Sequence, residues 1–173
     1  MVFALFKKPD PIPPAIYDQI VEQARSVLFF THFGVPDALN GRYEMVALHV
    51  ALVCRRMRSD NESVAALSQD VFDTFITEMD RTYREMGIGD TTVPKKMKTL
   101  GEIFYGRAKT LDECIDGEAG LLAGVYERNV VERPEDAAKL EAYAIAADKH
   151  LKTIDDVAIL NGEVSFPKPG EVL

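Results

Sequence analysis

The side chains in this sequence that could do chemistry are few and scattered. His32, His49 and His150 stand far apart, and none falls in the HExxH or ExxH spacing that puts metal ligands on one helical face. A GxSxG nucleophile turn and a Walker loop are both missing, so neither acyl transfer by an activated serine nor P-loop phosphate chemistry has a starting point. Gly87-Ile88-Gly89 lacks a third glycine in register and a strand before it, which removes a dinucleotide reading. Glu78, Asp80 and Glu85 recur on a helical pattern, where acids are ordinarily solvated charge rather than a general acid and base. Cys54 and Cys114 are widely separated and form no CxxC; Cys54, in an apolar run, reads as a reduced, buried thiol of a reducing compartment. No catalytic, cofactor-binding or metal-binding residue is assigned. His49 lies within the apolar stretch Met45–Cys54, where a histidine is more often a hydrogen-bonded core residue than a ligand. The competing reading makes His49 or His32 a haem ligand.

Charge offers a different kind of site. The chain carries a formal net charge of −8, which argues against broad nucleic-acid binding and against DNA as a partner. Against that background Lys95, Lys96 and Lys98 cluster in one turn, with Arg81 and Arg84 placed to face them. Two readings stand side by side: a basic patch steering an acidic partner, an anionic headgroup or ribosomal RNA, or a solvated helix face with its own ion pairs. In Phe104-Tyr105-Gly106-Arg107, Tyr105 and Arg107 fall off the apolar stripe and are candidates for partner contact. Gly106 costs a helix roughly 1 kcal/mol relative to alanine, so it marks either a close approach by a partner or a helix end. Asp80 can pair with Arg84 at i, i+4 or with Arg107 across the hairpin.

These residues must be held by helices. Val64, Leu67, Val71, Phe72, Phe75, Ile76 and Met79 recur at threes and fours, and so do Val93, Met97, Leu100, Phe104, Ala108 and Leu111. Between them, Gly87-Ile88-Gly89-Asp90 stops one helix, and Pro94 restarts another with Thr91 or Thr92 as its cap. The short turn predicts an antiparallel pair at the centre of the fold.

Upstream, Pro9, Pro11, Pro13 and Pro14 predict an extended arm. A helix is expected from near Pro14, with Ile16, Ile20, Ala24, Val27 and Leu28 inward. Asp37 or Asn40 is the expected cap of a helix from about Gly41 to Arg58. Its last-turn arginines Arg55, Arg56 and Arg58 suit the dipole or join a basic surface. Ser59–Glu62 supplies the cap for the next helix. Short helices are expected after Gly117 and from Pro134, the latter with Ala137, Leu140, Ala144 and Ala147 on a smooth face.

The expected fold is all-α, a single compact domain of six or seven helices with irregular termini. Its parts are an extended arm (1–13), a helical domain (14–160) and an irregular tail (161–173). No apolar run approaches the roughly 20 residues of a membrane-spanning helix. Met1–Phe6 with Lys7 and Lys8 is either a small interfacial anchor or an arm packed on the domain, and it lacks the features of a signal or transit peptide.

Two stretches resemble one family. MDRTYREMGIGDTTVPKKMKTLGEIFYGR (Met79–Arg107) is similar to the signature of the ubiquinol–cytochrome c chaperones, and FGVPDALNGRYEMVALHVALVCRRMR (Phe33–Arg58) to that family's upstream block. The resemblance runs from about Tyr17 to Asn129. It implies an all-helical, non-enzymatic assembly chaperone that binds newly made cytochrome b before or during its incorporation into the bc1 complex. For a bacterial member it implies a soluble protein in the cytoplasm, peripheral to the cytoplasmic membrane. Eukaryotic relatives are mitochondrial and work with a small helical partner and at the ribosomal tunnel exit. The resemblance also favours the basic hairpin, with Arg81, Arg84, Lys95, Lys96, Lys98, Tyr105 and Arg107, as the partner-binding face. The rivals are a haem-binding protein or enzyme, and a peripheral adaptor holding lipid through Met1–Lys8 and the lysine turn.

Overall fold

The computed structural model describes residues 10–117 and 120–172, which places the Met1–Lys8 segment outside the described residues. Among the described residues eight α-helices follow one another, with no strand, and a 3-10 turn at Pro169–Glu171 comes after them. The helices are α1 (Ile12–Ala24), α2 (Val27–Thr31), α3 (Leu39–Arg56), α4 (Glu62–Glu85), α5 (Val93–Ile115), α6 (Leu121–Asn129), α7 (Pro134–Leu151) and α8 (Asp156–Leu160). Helices α2 and α8 are five residues each, so the expected six or seven helices correspond to the longer elements that carry the core.

Helix α3 lies at the centre, touching α1, α4, α5 and α7. Every residue from Met45 to Val53 is buried, because partners on several sides leave no face for water. At roughly 1.5–3 kcal/mol per large aliphatic side chain, the burial of Met45, Val46, Leu48, Val50, Leu52 and Val53 makes this helix a substantial part of the hydrophobic contribution. The two amphipathic stripes form the expected antiparallel pair: Val64, Leu67, Val71 and Phe75 of α4 are buried, as are Val93, Leu100, Phe104 and Leu111 of α5. Phe104 sits 5.1 Å from Phe72 and 5.4 Å from Phe75, ring to ring. Gly87, at φ +78°, ends α4, with the Gly87 amide donating to Arg84 O and the Ile88 amide to Tyr83 O.

Several local expectations need correction. Helix α1 starts at Ile12 rather than near Pro14, because Pro13 and Pro14 occupy first-turn positions whose missing amides have no partner to lose. Arg25 ends α1, so the chain turns before Val27; Val27 is exposed and Phe29 is buried in its place. Neither Asp37 nor Asn40 caps α3. Ala38 holds that position without a side-chain bond, while Asp37 pairs with Arg42 at 2.7 Å. Thr92 occupies the cap position of α5 but makes no capping bond. Asn61, within the expected Ser59–Glu62 turn, does cap α4 by accepting from the Ser63 amide. Helix α5 continues through Gly106 to Ile115, so Gly106 is not a helix end.

Candidate partner-binding surface

The hairpin separates into a packed part and a free end. No side chain from Ile76 to Asp90 is fully buried, so the last ten residues of α4 and the turn are held only along one edge. Met79, Tyr83 and Met97 lie half-buried along the seam, and Met86 is exposed.

The sequence-assigned cations part company here. Arg84 is bound to Asp80 and to Asp90, each at 2.5 Å, and the Asp80 carboxylate raises its pKa further. Arg81 pairs with Glu78 and more loosely with Glu85. Both arginines are therefore largely neutralised by their own helix and turn, and the Asp80–Arg84 alternative is the one realised. Lys98 has only a distant Glu102, at 3.9 Å. Lys96 lies over the Tyr83 ring at 5.9 Å. Lys95 has no carboxylate within ion-pair distance among the described residues, so of these assigned cations Lys95 and Lys96, in the first turn of α5, keep their charge unpaired.

Arg107 is not part of that turn. Its guanidinium makes two bonds of 3.2 Å to the two oxygens of Glu44 on α3, in the forked geometry suited to a carboxylate. Tyr105 is exposed, its ring 5.6 Å from Phe72. The helical repeat explains the division: Lys96, Ile103 and Arg107 share one flank of α5, and Lys98 and Tyr105 share another. A side chain at Gly106 would meet nothing within 4 Å, so no neighbour in this chain requires a glycine there.

On the Arg107 flank, a cleft of about 420 Å³ separates the start of α3 from α5. A separate cavity of about 20 Å³ in the core is lined by Glu44, Arg107 and Tyr126 among others. The Tyr126 hydroxyl is buried without a hydrogen-bond partner among the described residues, and burial drives its pKa far up. Sequence reasoning missed this place, since a tyrosine in a short helix carries no local signal of its surroundings.

His49 is accounted for by the core. Its Nδ1 donates to Met45 O at 2.7 Å, and its Nε2 accepts from the Tyr143 hydroxyl at 2.7 Å; Tyr143 in turn accepts from Gln23 Nε2 at 2.9 Å. Complete burial lowers its pKa to about 4 and keeps the ring neutral. With both nitrogens engaged, His49 has no lone pair free for haem iron. Among the described residues no group of three or more His, Cys, Asp or Glu side chains is placed to hold a metal.

Two structural clusters also escaped the sequence. Arg55 is mostly buried and reaches Asp112, Asp116 and Asp148, while Arg56 donates to Leu151 O and Ile154 O and pairs with Asp156. The α3 arginines are thus ties to α5, α7 and α8 rather than a basic surface. Asp112 and Asp116, spaced i, i+4, were a visible hint; Asp148 was not. Glu141 of α7 accepts from the amides of Gly120, Leu122 and Ala123 and so caps α6 from another helix.

Among the described residues no helix is long and apolar enough to cross a membrane. Three comparisons bear on identity. The crystal structure of the Cbp3 homolog from Brucella abortus overlays with a TM-score of 0.84 at 37% identity, covering 92% of this chain and 91% of that one. A Xenopus laevis protein named ubiquinol-cytochrome-c reductase complex assembly factor 1 is 26% identical over 86% of this chain and 77% of its own length. The mouse and human proteins of that name are 23% and 24% identical, and the chain spans about half of their length. The sequence model described as Ubiquinol-cytochrome C chaperone matches residues 31–166, most of the chain, and the protein belongs to that family.

Proposed function

We propose that the chain is a non-enzymatic assembly chaperone that binds newly made cytochrome b and supports its incorporation into the bc1 complex, complex III. The observation that carries this reading is the family match over residues 31–166, which takes in both α3 and the whole hairpin. The physical need is plain, because a newly made membrane protein exposes apolar helices that aggregate unless covered. A helical domain meets that need by offering grooves between its helices.

The α4–α5 hairpin is the contact face in this reading. Lys95 and Lys96 present positive charge that no carboxylate pairs with, Lys98 adds a cation loosely paired with Glu102, Tyr105 adds an exposed aromatic ring, and Arg107 borders the face. Arg81 and Arg84 flank it with their charge already paired. The protein works in a bacterial cytoplasm, peripheral to the membrane into which its client inserts. The ribosome and a small helical partner protein are further candidate partners in this reading.

Deleting the gene in its own host tests the function. Assembled bc1 complex and its cytochrome b absorbance should fall together while other respiratory complexes keep their levels, and the wild-type chain should restore both. Normal bc1 levels in the deletion strain would overturn the proposal.

A further inference from the structure

The irregular tail after α8 lies along α1 like a second chain laid in a groove. Gly162 packs beside Ile12 and Ala15, Val164 reaches Gln19, Pro167 reaches Gln23 and Gly170 meets Leu28, so tail and helix run side by side in one direction. Gly162 and Val164 are buried and Phe166 is half-buried, while Glu163 and Ser165 face out. That alternation is the mark of an extended segment with one face on a surface. The Phe166 ring sits edge-on to His49 with centroids 5.0 Å apart, and buried Pro169 closes the run.

Side chains of the helical body hold this segment. Gln19 uses both ends of its amide: Nε2 donates to Gly162 O at 2.7 Å, and Oε1 accepts from the Val164 amide at 3.1 Å. In an extended chain the carbonyl of one residue and the amide two residues on point to the same side, so Gln19 reads main chain as a neighbouring strand would. Gln23 Nε2 donates to Pro167 O at 2.9 Å, and on the α7 side His150 Nε2 lies 2.9 Å from the Ser165 hydroxyl. Among the described residues, the one bond from the main chain of 163–167 to other main chain is from the Glu163 amide to Ala158 O. The floor is complete without the tail. Gln23 also donates to the Tyr143 hydroxyl, Tyr143 to His49 and His49 to Met45 O, so these groups keep partners when the tail lifts.

We infer that this groove between α1 and α7 is a seat for an extended apolar segment of the client, and that residues 162–169 are its built-in competitor. The tail swings out at Gly162, whose φ of +83° marks the turn into it. A client segment that offers Gln19 the same main-chain pair, and sets an apolar side chain beside His49, takes its place. The inference rests on the chaperone reading: the hairpin makes the first encounter and the groove holds the client's main chain. Recognition through main chain accepts many sequences, as a client not yet folded demands. The tethered tail, at high effective concentration, keeps that hold moderate and favours release.

The test uses the full chain and a fluorescent peptide of residues 161–172 as probe. A Val164→Asp, Phe166→Asp variant, its own tail dislodged, should bind the probe about tenfold more tightly than wild type. Adding Gln19→Leu should abolish that gain while the α3 amides stay protected from exchange. Synthetic apolar segments of cytochrome b should displace the probe. A second measurement needs no variant: in the wild-type chain the Val164 amide should exchange about a hundredfold faster than the Val50 amide of α3, because the tail opens without the core. Equal exchange at Val164 and Val50 would overturn the inference, since the tail would then leave only on global unfolding. So would probe binding that the dislodged tail does not strengthen, or tail-exchanged dimers in its place. If no cytochrome b segment displaces the probe while the deletion strain lacks bc1 complex, the groove assignment fails and the chaperone reading stands. If the deletion strain assembles bc1 normally, both fail.

Discussion

Gly34 and Asp136 fit against each other so closely that a Cβ on the glycine would lie 2.3 Å from the Asp136 Oδ2. Gly34 also sits at φ +69°, and Asp136 is buried beside Arg133 and Lys139. The loop before α3 is thereby pressed onto the first turn of α7. Gly34→Ala should destabilise the protein by at least about 2 kcal/mol, from left-handed strain and displacement of a buried carboxylate. Chemical unfolding measures this directly, and Gly89→Ala, where a Cβ meets nothing within 4 Å, is the matched control.

Acid should act on His49 before it acts on the carboxylates. Burial lowers the His49 pKa in the folded chain to about 4, whereas the unfolded chain takes up that proton near 6.5. Between those values the unfolded state binds more protons, so stability is full above about pH 7 and falls as pH drops toward 4. The complete loss is on the order of 3 kcal/mol. Asp116, Asp136 and Asp156, whose pKa values are lowered in the fold, weaken it only at still lower pH. Urea unfolding at stepped pH should show this slope, and His49→Gln should flatten it.

Arg55 gathers carboxylates from two other helices. Arg55→Met leaves Asp148, 7% exposed, with Lys152 alone. The expected cost is about 3 kcal/mol, the range for stripping one partner from a buried pair. Lys98→Met, at a loosely paired exposed site, should change stability by less than about 0.5 kcal/mol. The same unfolding assay separates them.

Replacing Lys95, Lys96 and Lys98 together with glutamate should leave folding intact, since all three are exposed. Association with the client should slow by about tenfold at low salt, and the difference should shrink as salt screens it. Stopped-flow binding across an ionic-strength series reads both effects.

Periodicity in the sequence was enough to read the hairpin: stripes of three and four, a glycine stop and a proline restart are local signals, and the structure realises them. The lysine turn was legible for the same reason. The fates of Arg81, Arg84 and Arg107 were not, because whether a cation is free depends on carboxylates that folding brings near. Arg84 is cancelled by Asp80 on its own helix, but Arg107 is taken by Glu44 from α3. Likewise the cap of α6 comes from Glu141 on α7, a partner no local pattern announces. Tyr126 and the cleft exist only once α3, α5 and α6 are assembled.

The most direct measurement is photo-crosslinking in living cells from Lys96 on the hairpin, with Lys149 on the exposed side of α7 as control. Capture of newly made cytochrome b from position 96, and not from 149, is the predicted result. Equal capture from both positions, or capture of lipid alone from 96, would contradict the assignment of the hairpin as the client-binding face of a complex III assembly chaperone.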